Sequence, residues 1–209
     1  MRRRTRRGAA WGGVVGPIAF VTAWAVAAAV TSAPYSSVDD AISRLAAVGS
    51  DVRSTMTVGF VAFSAGVGPY AIALRRAVPG RAWWAALATA GATIAVAALP
   101  LDRSDLVDRL HAAAAVVGYV TLVGVPLGCA RPLARLGHRT LAAAAIVATA
   151  TSTVGLAASL VVDADGLAQR IGLSATDAWI VASVPTVRAL AAARRPTLDG
   201  DPPHGIMDR

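Results

Sequence analysis

Long apolar runs alternate with short polar segments along this chain. Six apolar runs stand out: Trp11 to Val30, Thr55 to Leu74, Ala82 to Leu101, Leu110 to Ala130, Thr140 to Val162 and Ala175 to Ala193. About 20 residues rising ~1.5 Å each cross a ~30 Å hydrocarbon core. The pattern predicts an all-α fold, a six-helix transmembrane bundle with short surface helices on the extracytoplasmic side. Residues 1–10 would form a basic cytoplasmic N-terminus, 11–193 the six-span domain and 194–209 a disordered cytoplasmic tail. The rival reading of the first run is a secretory signal cut after Thr31-Ser32-Ala33. The proline that would follow the cut, Pro34, and the length of the run argue against it.

Smaller features refine the runs. Gly12 and Gly16 give the first a small-xxx-small face for close helix contact. Gly59, Gly66, Gly68 and Pro69 predict a bend or tight packing in the second. Thr149, Thr151, Ser152 and Thr153 sit near the middle of the fifth, able to bond their own backbone or to bridge to a neighbour. No Asp, His or Arg falls in the middle of a run, which speaks against ion-coupled transport. Between the first two runs, Ser37 and Asp40 form a Ser-x-x-Asp helix start. Val38, Ala41, Ile42, Leu45 and Ala46 follow at helical spacing. This predicts a short amphipathic helix ending near Gly49, lying on the membrane surface or covering the mouth of the bundle. Ser104 is placed to cap the fourth helix, with Asp105 and Asp108 at its positive end. Ser174 and Asp177 make a similar start for the sixth.

Charge orients the bundle. The 209 residues are 56% hydrophobic and 15% charged, and every charged side chain other than histidine is Arg or Asp. A net charge of +8 would suit nucleic acid, but the apolar runs exclude that partner and make the lipid bilayer the partner instead. Fifteen of the twenty arginines lie in the terminal segments and the two short basic turns, while nine of the twelve aspartates lie in the other three segments. The positive-inside rule then places both termini in the cytoplasm, in the cell membrane. No internal repeat marks an inverted-repeat transporter. The single Cys129 excludes an internal disulfide and a thiolate metal cage.

Candidate chemistry gathers on the outer side. The knot from Leu99 to His111 holds Asp102, Asp105, Asp108, Arg103, Arg109 and His111 between two apolar runs. Asp108 and His111 stand at i,i+3 and can touch; a carboxylate beside an imidazole orients the ring for general-base or ligand work. Asp102 and His111 are therefore the candidate catalytic residues, with Ser36, Ser43, Asp108 and Arg170 as candidate binding residues. The competing reading is that these charges only cap helices and satisfy one another. A Ser43, His111 and Asp102 hydrolase is conceivable, though no nucleophile-elbow motif supports it. An Asp-rich site could hold a hard cation, but a single outer histidine defines no metal site, and nothing names a cofactor. Cys129 and Tyr119 read as packing residues.

Tyr35-Ser36, Ile42-Ser43-Arg44-Leu45, Gly49, Met56, Gly59-Phe60, Pro100-Leu101-Asp102, His111 and Gly166-Leu167-Ala168-Gln169-Arg170 occur in one order. Together they resemble a bacterial family of six-span membrane proteins, domain of unknown function 998, over about Gly12 to Ala193. The resemblance implies a six-helix integral membrane protein whose common residues lie at the outer mouth; it brings no activity and no cofactor. Members of that family often carry a Phe before the proline and an acid after the first motif's serine, where this chain has Leu99 and Arg44. The sequence thus favours a membrane protein with an acidic polar pocket at its extracytoplasmic mouth and a binding or accessory role. The alternatives are an outward-facing enzyme acting on a lipid or envelope substrate, and a small-molecule transporter.

Overall fold

The computed structural model describes residues 8–161 and 164–194. The arginines from Arg2 to Arg7, Asp163 and the tail from Arg195 onward lie outside the described residues. Among the described residues there is no strand. The six long helices are α1 (Gly12–Val30), α2 (Arg53–Ala77), α3 (Ala82–Ala98), α4 (Asp105–Arg135), α5 (Arg139–Ala158) and α6 (Asp165–Ala193). Consecutive helices pack side by side, and α6 returns against α1, α2 and α4 to close the bundle.

Four of the helical stretches, Ala9–Val30, Arg53–Ala77, Asp105–Arg135 and Arg139–Ala158, are long and apolar enough to cross a membrane. The apolar α3 has 17 residues, about 25 Å at ~1.5 Å per residue. Large apolar side chains such as Val15, Val58, Val120, Val147 and Val154 point outward from the bundle. In water such a belt would be an aggregation hazard; against lipid tails it is the expected outer surface.

Small residues set the closest helix crossings. A Cβ on Gly66 of α2 would come within 2.6 Å of the Gly16 Cα on α1, and one on Gly16 within 2.8 Å of the Phe63 carbonyl oxygen. The Gly12/Gly16 face therefore packs backbone against backbone. At the α5–α6 crossing, Ser152 Oγ donates to the Gly172 carbonyl at 2.6 Å and lies 2.7 Å from Thr176 Oγ1. Thr149 and Thr153 instead donate to their own helix, to Ala145 and Thr149 carbonyls. Both options open to the fifth-run hydroxyls are thus used, by different residues.

At the basic pole, Trp83 and Trp84 stack at 4.0 Å and Arg75 lies 4.7 Å over Trp83. Arg188 lies 4.7 Å over Trp11, so its guanidinium rests on an interfacial indole rather than reaching free into water.

Two element boundaries depart from the sequence reading. Ile42–Ala46 is a short 3-10 helix, and Ser37 does not begin an α-helix. The Asp40 carboxylate accepts from the Ser36 backbone N–H at 2.7 Å, four residues behind it, and Ser36 Oγ donates to Asp39. These local bonds compete with helix formation. The apolar spacing was still informative, because Ile42, Leu45 and Ala46 are buried. The second departure is α6, which begins at Asp165 rather than Ala175. Gln169, Arg170 and Asp177 are therefore helical, and Ser174 and Asp177 are not a helix start. The expectation that no Asp falls in the middle of a span meets an exception at Asp177, which stands near the middle of α6 and is only 3% exposed.

Candidate functional site

The polar pole is organised by the segment 31–52, which joins α1 to α2 as a strap across the bundle. Its two ends are clasped together by Asp51. Thr31 Oγ1 donates to Asp51 Oδ1 at 2.9 Å, and the Ser32 N–H and Oγ donate to Oδ2 at 2.8 and 2.7 Å. The hydrogen bonds from Ser32 and then Thr31 hold the Asp51 carboxyl down to about 2, since they stabilise its charged form.

The middle of the strap docks on the first turns of α6. Gly166 has the Asp40 carbonyl against it where a Cβ would stand, so only glycine admits the strap this close. Leu167 N–H donates to the Val38 carbonyl at 2.8 Å. Ile42 N–H donates to Gln169 Oε1 at 2.7 Å, and Gln169 Nε2 donates to the Tyr119 hydroxyl of α4. Arg170 Nη1 donates to the carbonyls of Ser37, Asp40 and Gly166 at 2.9, 3.0 and 2.9 Å, and its Nη2 donates to the Tyr35 hydroxyl. The guanidinium also lies 5.2 Å over Trp24 of α1 and 5.7 Å over the Tyr35 ring. Burial pushes the Tyr35 phenol up, against the opposing pull of the Arg170 charge. One planar cation thus joins α6, α1 and the strap, a task suited to the fixed fork of arginine.

The strap's far side docks on the turn between α3 and α4. Val48 N–H donates to the Leu101 carbonyl at 2.9 Å. Arg44 Nη1 pairs with Asp102 Oδ1 at 3.1 Å. Asp102 has φ 63°, a left-handed conformation that Asp tolerates better than most residues. Its backbone N–H donates to Asp108 Oδ1 at 3.0 Å. Ser104 caps α4, its side chain accepting from the Val107 N–H, with Asp105 and Asp108 in the first turn.

His111 is buried, and its Nδ1 lies 2.6 Å from the Leu99 carbonyl. A carbonyl only accepts, so Nδ1 carries the proton, and in the neutral ring Nε2 is left as an acceptor. His111 is thus oriented by Leu99 and not by Asp108, whose Oδ1 faces the Asp102 backbone. No hydrogen bond or ion pair joins Asp102, His111 and Arg170 to one another. Each secures a different joint: Asp102 the strap to the turn, His111 the turn to α4, Arg170 the strap to α6. Ser36 closes the local turn with Asp39 and Asp40.

Beneath the strap lies a cavity of about 70 Å³, lined from the strap and from every long helix except α5. Ser43 and His111 reach it; Asp102, Arg170, Ser36 and Asp108 do not line it. Tyr119, Gln169 and Asp177 line it too, with the rings of Phe20, Phe60 and Phe63. Tyr119 reads as core in the sequence and is instead part of this wall. Gln169 stands in a stretch that reads as loop and Asp177 at what reads as a helix start, and only their helical spacing from Arg170 could have placed them on an inward face. Asp102, Arg44, Asp40 and Tyr35 border a second, more open hollow on the strap's outer side. Among the described residues no cluster of His, Cys, Asp or Glu is arranged to hold a metal ion.

A helical bundle with an apolar outer belt, and with polar side chains gathered under a strap at one pole, is an integral membrane protein. The chain belongs to the family described as Protein of unknown function (DUF998), which matches residues 14–184. No curated protein and no solved structure matches it. Motifs of the family resemblance meet one another in space: Tyr35 bonds Arg170, Ile42 bonds Gln169, and Arg44 pairs with Asp102.

Proposed function

We propose that this protein is a six-span binding protein of the cell membrane, with both termini in the cytoplasm and the strapped pole outside. The observation that carries the binding role is the cavity under the strap, where Ser43, His111, Tyr119, Gln169 and Asp177 converge on a largely apolar space. A concave, mostly apolar space with a few converging polar groups has the form of a small-molecule site, and at about 70 Å³ this one suits a guest of only a few heavy atoms. In this reading Ser43 and His111 face the ligand, while Arg170, Asp102, Asp108 and Ser36 hold the strap that covers it. Hydrolysis by Ser43 and His111 is less well supported. The Nδ1 that a catalytic acid would orient bonds the Leu99 carbonyl, and Asp102 pairs with Arg44.

The arginine distribution supports the orientation. The test is a ligand screen on the full chain reconstituted in nanodiscs, read as a shift in thermal unfolding. Compounds that bind the folded state raise the midpoint. Ala92 lines the cavity, so Ala92→Phe fills it; hits should disappear in that variant while its folded helix content is kept. Hits that persist unchanged in Ala92→Phe would place binding elsewhere and sink the reading.

A further inference from the structure

Among Asp and Arg side chains, the cavity wall holds one acid and no base. Asp177 is buried, lines the cavity, and its Oδ1 has no hydrogen-bond partner. No arginine lines the cavity. Thr89 and Thr93 donate their hydroxyl protons outside it or along their own helix, to the Ala85 and Thr121 oxygens and to the Thr89 carbonyl. Their lone pairs are what remain for a guest. With Nδ1 committed to the Leu99 carbonyl, His111 has Nε2 left for a guest, and the Gln169 Oε1 already accepts from Ile42. The rings of Phe20, Phe60 and Phe63 add negative π-faces; Phe20 stands 5.7 Å from Phe60 and 5.5 Å from Phe63. Ser43 and Tyr119 add hydroxyls that can donate or accept, so the wall offers hydroxyls and π-faces, no arginine, and one acid.

Burying a carboxylate without a partner is costly, and a cation relieves that cost when the protein supplies none. An anion would meet no arginine here and would face the Asp177 carboxyl. A bare metal ion would need several converging oxygens, whereas most of this wall is carbon. A protonated amine with a short apolar substituent fits every feature: its N–H groups meet the carboxylate and hydroxyls, its charge meets the rings, and its carbon body meets the apolar wall. We infer that the cavity binds a small organic ammonium ion, with Asp177 as its anionic anchor. This rests on the binding reading above and specifies the ligand class of the same cavity.

The experiment measures binding of butylammonium, 1-butanol, butyrate and sodium to the full-length protein in nanodiscs by calorimetry, at constant ionic strength. Butylammonium should bind at least about tenfold tighter than 1-butanol, a margin of ~1.4 kcal/mol; butyrate and sodium should bind far more weakly. Asp177→Asn keeps the shape and removes the charge, so it should bring butylammonium down to the level of 1-butanol. The wild-type comparison decides the matter even if that variant fails to fold. Butylammonium binding no tighter than 1-butanol overturns the ammonium assignment while leaving the cavity a binding site. Sodium binding as tightly as butylammonium overturns it in favour of an inorganic cation. No binding by any of the four overturns the ammonium assignment and counts against the binding reading as well.

Discussion

Arg170 is the residue on which the polar pole turns. It is buried, bonds three carbonyls and the Tyr35 hydroxyl, and lies over Trp24. Arg170→Ala would remove those bonds, and each charge-assisted bond is worth ~1.5–3 kcal/mol. A loss of roughly 3 kcal/mol is expected, seen as a lower unfolding midpoint in detergent. Arg170→Lys should restore only part of it, because one ammonium cannot span the same acceptors; full rescue by lysine would contradict the geometry. Asp102 behaves differently. Its pair with Arg44 is half-exposed, and such pairs contribute up to ~1 kcal/mol, so Asp102→Asn should cost little. Asp51 adds a pH dependence. Its folded carboxyl titrates at about 2 rather than 3.8, a lowered value, so its stabilisation is present above 3.8 and is lost as pH falls toward about 2. Acid unfolding curves of Asp51→Asn and the wild type should therefore differ at neutral pH and converge toward pH 2. The sequence showed that charges cluster near Asp102, His111 and Arg170. It could not show that they serve three separate joints, because partners such as the Leu99, Ser37 and Asp40 carbonyls are backbone atoms with no residue signature.

Elements were legible where periodicity and length decide and less so where tertiary contact decides. The apolar runs located six helices, since a stretch such as Gly12–Val30 has few other ways to satisfy its backbone in lipid. The start of α6 was missed because Asp165, Gln169 and Arg170 look like a loop by composition. The helix holds Gln169 and Arg170 because the strap and Tyr119 give their side chains partners. The strap was read as an α-helix because its apolar spacing is right, and Asp40 turning back to Ser36 was invisible in that spacing. Two glycines test the packing of elements. Gly166→Ala should release the strap from α6, since a Cβ would collide with the Asp40 carbonyl; faster proteolysis between Ser36 and Gly49 reads this out. Gly66→Leu should wedge α1 from α2 and cost ~1–3 kcal/mol or more, measured as loss of folded protein on heating in detergent. A Gly66→Leu variant as stable as the wild type would refute the close crossing.

At the scale of the whole molecule, the proposed orientation sets one axis: an acidic, strapped pole outside and a basic, tryptophan-lined pole inside. The cavity has access to extracellular ligands only if that axis is right. Exposed positions report it directly, with Cys129 replaced by serine to remove the one native thiol. Ser37 lies on the strap, while Pro79 and Ala134 lie at the opposite pole. Single cysteines at these three sites are offered a membrane-impermeant maleimide on intact cells and again after permeabilisation. The account predicts that Ser37→Cys is labelled on intact cells, and that Pro79→Cys and Ala134→Cys are labelled only after permeabilisation. Labelling of Pro79→Cys or Ala134→Cys on intact cells, with Ser37→Cys protected, would contradict it.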